Sequence, residues 1–127
     1  MKLYIVANRL PVKAVPRQDS YTFVRSEGGL ATGLDSLQIS MEKHWIGWPG
    51  VCVDNARQQI EIRQHLETMD FHPIFLSEEQ YHDYYEGYSN STIWPLCHYF
   101  FSYTTVRKDF WESYQKVNAL FCEEICK

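Results

Sequence analysis

The chain has 127 residues, 45% of them hydrophobic and 22% charged, a balance that suits a compact globular domain. Its net charge of −4 leaves no basic tract to neutralise a phosphate backbone, so nucleic acid is not an expected partner. No stretch approaches the length needed to span a bilayer and no secretory signal leads the chain, so no membrane partner is expected and a reducing, cytoplasmic setting is.

Leu3 to Ala7 is a short apolar run that ends in Asn8-Arg9 and is closed by Pro11, which reads as a fully buried strand. Leu10 to Arg17 carries Pro11 and Pro16 and reads as a loop or an extended edge. Tyr21 to Arg25 alternates and is rich in β-formers, as in a short strand or hairpin arm. Gly28-Gly29 then opens a predicted helix to Met41, with Leu30, Leu34, Leu37 and Met41 on one stripe.

His44 to Gly50 is predicted as a second strand broken by Pro49-Gly50. Ala56 to Thr68 fits a helix, although Ile60-Glu61-Ile62 also fits an edge strand. Phe71 to Leu76 is the third strand, and Pro73 places it at an edge or a strand start. Ser77-Glu78-Glu79-Gln80 is a capping-box signature, so a helix starts there and runs to Gly87. Tyr88 to Thr92 looks turn-like, and Ile93 to Tyr99 is a short apolar segment broken by Pro95. A last helix, capped near Thr105, carries Phe110, Tyr114, Val117, Leu120, Phe121 and Ile125 at helical spacing. Strands alternating with helices indicate an α/β domain.

Arg9 follows directly on a buried strand, where a guanidinium needs a partner; phosphate ligand and structural salt bridge are equally open. Gly28-Gly29 is either a plain helix entry or a place where a ligand reaches the backbone. Trp48 and Trp94 each precede a proline, which holds the ring near a chain reversal, with a core tryptophan as the plainer reading. Tyr84 and Tyr85 are consecutive on a helix and point about 100° apart, so one hydroxyl is available to a ligand. His98 is a general acid–base candidate against a structural histidine. Cys52, Cys97, Cys122 and Cys126 form no CxxC pair and read as buried reduced thiols. With no Ser/His/Asp arrangement, metal-ligand spacing or Walker loop in view, neither a metal nor a cofactor is expected.

Ala-Asn-Arg-Leu-Pro (7–11), Gly-Gly-Leu-Ala-Thr-Gly-Leu (28–34), Trp-Ile-Gly-Trp-Pro-Gly (45–50), the run from Phe75 to Tyr99, and Trp111 to Asn118 occur in that order. Together they resemble the amino-terminal part of the trehalose-6-phosphate synthase family, retaining glucosyltransferases that use UDP-glucose and glucose 6-phosphate. The resemblance implies a GT-B glycosyltransferase, with residues 1–127 as a truncated, Rossmann-like portion of its N-terminal domain and the C-terminal nucleotide-sugar domain absent. It implies that Arg9 holds the phosphate of glucose 6-phosphate and that Tyr85 and Trp94 belong to the same acceptor pocket. It places Gly29 against the UDP-glucose donor and Trp48 on the cleft. It implies metal-independent transfer, with no catalytic residue inside this stretch and the remainder of the synthase as partner. A sugar-phosphate-binding or regulatory module derived from the family is the alternative, and the donor nucleotide stays open. A sheet cut after a few strands exposes an edge, so self-association is expected.

Overall fold

A computed structural model describes residues 1–26, 28–35 and 41–127. The chain divides into two compact units, Met1–Phe75 and Leu76–Lys127.

The first unit is built on a parallel sheet. Strand β1 (Lys2–Arg9) pairs with β4 (Glu42–Trp48), and β4 pairs with β5 (Phe71–Pro73), giving the order β1-β4-β5. Residues 10–17 are more regular than two prolines suggest. Val12–Pro16 forms β2, an antiparallel hairpin with β3 (Tyr21–Arg25). Pro16 ends that strand at its tip, where the missing N–H costs least. Helix α1 spans Gly29–Asp35, so Met41 lies outside it, and Leu37 falls outside the described residues. Ala56–Glu67 is helix α2 throughout; Asn55 caps it by accepting from the N–H groups of Arg57 and Gln58. That settles the ambiguity at Ile60-Glu61-Ile62.

One face of the sheet carries Ile5, Ala7, Trp45 and Phe71 into a core with Ile62 and Leu66 of α2 and with Leu10, Ala14 and Val53. Phe23 of the hairpin stacks on His65 of α2, 4.0 Å between centroids. β1 is therefore buried on one face only: Tyr4 and Val6, at the alternate positions, stay 58% and 49% exposed. An all-apolar run does not reveal that asymmetry. Gly47 decides how closely β1 and β4 approach. A Cβ there would lie 2.7 Å from the carbonyl oxygen of Ala7 and 3.0 Å from the carbonyl carbon of Arg9.

In the second unit, Ser77 and Gln80 form the predicted capping box at the start of α3 (Glu78–Tyr81). Chain direction does not reverse at Gly87. The helix widens into a π-helix over His82–Ile93 and returns to α-geometry in α4 (Trp94–Cys97). The stretch read as a turn is thus helical. Ser89 and Ser91 donate their hydroxyls to the carbonyls of Tyr84 and Glu86, five residues back, at 2.9 and 2.7 Å. Gly87 sits against the ring of Phe110, where a Cβ would come within 2.8 Å. A 3-10 turn (Phe101–Tyr103) leads to α5, Lys108–Ile125, which buries Phe110, Ser113, Val117 and Phe121 at 3- and 4-residue spacing. Ile125, on the predicted stripe, is 51% exposed at the helix end. Cys97, Cys122 and Cys126 are exposed and Cys52 is only half-buried, contrary to their reading as buried thiols; Cys97 and Cys122 lie on the solvent side of their helices and Cys126 follows the end of α5.

Two substitutions test these close approaches. Gly47→Ala and Gly87→Ala each force backbone or ring to move, and each is expected to cost about 1–3 kcal/mol of stability in urea unfolding. Gly33→Ala is the control, because nothing lies within 4 Å of its Cβ position. It is expected to be neutral or stabilising in that helix.

Candidate functional site

Arg9 is the last residue of β1 and pairs in register with Trp48, the last of β4, after a shift in the ladder beyond Val6. The guanidinium carbon lies 5.4 Å from the Trp48 ring centroid, a cation–π contact. Trp48 itself is buried, 6% exposed, and its indole N–H donates to the carbonyl of Val51 at 3.0 Å. The tryptophan is therefore a floor under the arginine, fixed by its own ring nitrogen.

The chain beyond Arg9 is tied to the chain beyond β4. Leu10 N–H donates to the Trp48 carbonyl at 3.0 Å and Ala14 N–H to the Pro49 carbonyl at 2.8 Å. Gly50, at φ 78°, lets that loop turn against Lys13. Beside Arg9, the Oδ1 of Asn8 is buried without a hydrogen-bond partner among the described residues. A buried acceptor left unpaired is costly. The sequence signal for Asn8 was a polar residue closing an apolar strand, overshadowed by the arginine after it.

Gly29 opens α1, and no atom lies within 4 Å of the position its Cβ would take. Arg9, Trp48 and Gly29 all belong to the first unit.

Tyr84, Tyr85 and Trp94 belong to the second unit. The two tyrosines separate as the helical rotation requires. Tyr84 is buried and stacks on Tyr114 of α5 at 5.7 Å, and Tyr85 is half-buried and stacks on Tyr81 at 5.4 Å. Burial pushes the Tyr84 phenol up to about 12, helped by the neighbouring Tyr114 and Tyr85 phenols. Trp94 is 53% exposed, and His98 stacks against it at 4.0 Å. Nδ1 of His98 lies 2.7 Å from the Trp94 carbonyl oxygen, so it carries the proton and donates it. His98 is a structural brace for the indole.

Pro95 shapes the space beside Trp94. It has no N–H to offer the carbonyl of Ser91, four residues back, and that oxygen accepts instead from Thr105 N–H at 2.7 Å. The hydroxyl of Thr92 donates to the Thr105 carbonyl. The helix ends in a Schellman arrangement, with Tyr99 in the left-handed region (φ 60°) and Phe100 N–H donating to the Pro95 carbonyl at 2.8 Å. The returning chain then faces the helix across a cleft of about 550 Å³, lined by Asn90, Ser91, Trp94, Phe100, Tyr103 and Thr105. Phe100 and Tyr103 were not singled out from sequence, because only the turn at Tyr99 brings them to Trp94.

A family model for glycosyltransferase family 20 matches residues 1–127. The chain belongs to glycosyltransferase family 20. It is 37% identical over 127 residues to an alpha,alpha-trehalose-phosphate synthase [UDP-forming] of Botryotinia fuckeliana, covering 99% of this chain and 24% of that protein. It is 43% identical over 125 residues to a trehalose-6-phosphate synthase of Mycolicibacterium vanbaalenii, covering 94% of this chain and 25% of that protein. Its fold matches an alpha,alpha-trehalose-phosphate synthase (UDP-forming) of Burkholderia xenovorans in complex with glucose-6-phosphate. That match has a TM-score of 0.66 at 22% identity and covers 98% of this chain and 25% of that one. The α/β, GT-B-type fold class is thereby shown, and this family 20 chain spans about a quarter of the length of its relatives.

The tyrosine environment makes a pH prediction. Tyr84 ionises near 10 in the unfolded chain and about 12 in the folded one. Its contribution is complete below pH 10 and is lost as pH rises toward 12. Tyr84→Phe is expected to lose less stability than the wild type across pH 10–12 in alkaline urea titrations. Equal slopes for the two proteins would refute the burial assignment.

Proposed function

We propose that this chain is the amino-terminal, acceptor-binding part of a UDP-forming trehalose-6-phosphate synthase, an enzyme passing glucose from UDP-glucose to glucose 6-phosphate. The relationship to synthases over the whole chain supports the reaction class. The observation that carries the site is Arg9, held at the carboxyl end of a parallel strand over the Trp48 ring beside the unpaired Asn8 oxygen. Ligands of open α/β sheets gather at the carboxyl ends of strands.

In this reading Arg9 holds the acceptor phosphate through the paired donors of its guanidinium. Trp48 lines the cleft from beneath by fixing that side chain. Tyr85 and Trp94, in the second unit, are assigned to glucose 6-phosphate as well, and the half-exposed indole offers a flat apolar surface to a sugar ring. Gly29 meets the donor UDP-glucose through its backbone, at a helix start whose first N–H groups have no intrahelical acceptor. No side chain of the chain is assigned a catalytic step. Residues 1–127 form a partial N-terminal Rossmann-like domain of a cytoplasmic enzyme, whose remainder supplies the nucleotide-sugar domain and the charges that meet the departing diphosphate. The 127-residue chain self-associates through strand-edge pairing or its terminal helix.

Calorimetric titration of glucose 6-phosphate into the 127-residue chain tests the acceptor site. Binding is expected to weaken about 10- to 100-fold in Arg9→Ala, the range for losing charge-assisted hydrogen bonds. Glucose without phosphate is expected not to distinguish the two proteins. Equal affinity of wild type and Arg9→Ala for the phosphate sugar would remove the assignment. Mixing the chain with UDP-glucose and glucose 6-phosphate is expected to give no turnover; detectable trehalose 6-phosphate would place the catalytic charges within these residues.

A further inference from the structure

At the amino-terminal ends of the same strands lies a second polar cluster, independent of the acceptor site. Tyr4 pairs in register with His44, and Ile46 with His72. Side chains alternate along a strand, so His44 shares the face of Ile46 and therefore of His72. The three rings form a ladder across the sheet: Tyr4 to His44 at 5.1 Å and 17°, His44 to His72 at 5.4 Å and 25°. His44, in the middle, is only 8% exposed.

Both nitrogens of His44 face polar atoms. Its Nε2 is 3.0 Å from a carboxylate oxygen of Glu42, and its Nδ1 is 3.1 Å from Nε2 of His72 and 3.9 Å from Oδ1 of Asp70. Glu42, with Lys2 at 3.4 Å as counter-ion, is an acceptor, so Nε2 of His44 carries the hydrogen. That choice leaves a lone pair on Nδ1, directed toward His72 and Asp70. A carboxylate holding the outer nitrogen of a histidine whose inner nitrogen meets other donor atoms is the usual outer support of a metal-bound imidazole.

We propose that His44 and His72, completed by Asp70, bind a divalent transition-metal ion of the zinc class, with Glu42 as the supporting carboxylate. Zinc–nitrogen bonds of about 2.0–2.1 Å in tetrahedral geometry separate donor atoms by about 3.3 Å. The two imidazole nitrogens, at 3.1 Å, already stand at nearly that spacing. The donors come from β4, from β5 and from the turn before β5, where Asp70 adopts φ 59°. An ion there joins the short three-residue strand β5 to the centre of the sheet. Four residue steps along β4, about 13 Å of strand, separate His44 from Trp48, so the ion is structural and apart from the acceptor site. The ligands lie in three places in the chain, which is why no metal-binding spacing shows in the sequence.

Zn²⁺ and Co²⁺ titrations of the 127-residue chain decide the matter. Cys52→Ser, Cys97→Ser, Cys122→Ser and Cys126→Ser are combined so that thiols do not compete for the ion. Saturable uptake of about one Zn²⁺ per chain, a rise in Tm and a tetrahedral Co²⁺ spectrum are expected. Mg²⁺ is expected to give none of these. Glu42→Ala is expected to weaken uptake about 10- to 100-fold. His72→Phe keeps a ring in the ladder and is expected to abolish uptake, with circular dichroism reporting the fold. Should that variant unfold, His72→Gln is read in its place. Absence of saturable uptake by the serine-substituted chain, or unchanged affinity on replacing His72, would overturn the proposal and leave a plain histidine–histidine hydrogen bond.

Discussion

The first unit depends on how closely β1 and β4 can approach at Gly47. Because that residue has no side chain, the backbone from Ala7 to Leu10 passes within a distance that any Cβ would contest. The bonds from Leu10 to Trp48 and from Ala14 to Pro49 follow from this approach, and so does the seat of Arg9 on the Trp48 ring. A cation at a strand end is common. Here the floor under the cation is a buried indole, itself pinned through Val51.

The second unit rests on a different economy of backbone groups. A π-helix is rarely sustained over 12 residues, and here it has specific support. Two serine hydroxyls bond to carbonyls five residues back, and the ring of Phe110 fills the space that Gly87 leaves. Pro95 withholds a donor from Ser91, and the carbonyl recruits Thr105 from the returning chain. One missing N–H thus draws together the walls of the aromatic cleft at Trp94.

The two ends of the parallel sheet have separate characters. At the carboxyl ends Arg9 lies over the ring of the buried Trp48, next in the chain to Asn8 with its buried, unpaired oxygen. At the amino-terminal ends Glu42, His44 and His72 form a closed set of short polar contacts across neighbouring strands. Among the described residues no helix is long and apolar enough to cross a membrane.

Much of this was legible locally. The β1 and β4 strands, the capping box at Ser77, helix α5 and the divergence of Tyr84 from Tyr85 each follow from a few adjacent residues, through alternation, capping chemistry or helical rotation. The order of five motifs carried the family, and Arg9, Gly29, Trp48, Tyr85 and Trp94 were named from it together with their strand-end, helix-start and proline-flanked settings. Other features required distant residues to meet. Exposure of Tyr4 and Val6 depends on which sheet face α2 covers, and the π-helix depends on Phe110 reaching Gly87. The unpaired oxygen of Asn8, the Phe100–Tyr103 wall of the cleft and the His44–His72 pair are likewise products of packing. Sequence by itself determined the elements and the family, because those are written in short-range patterns. Tertiary structure alone decided which polar atoms were left without partners and which were brought within bonding distance, because that is settled only when separate segments close on one another.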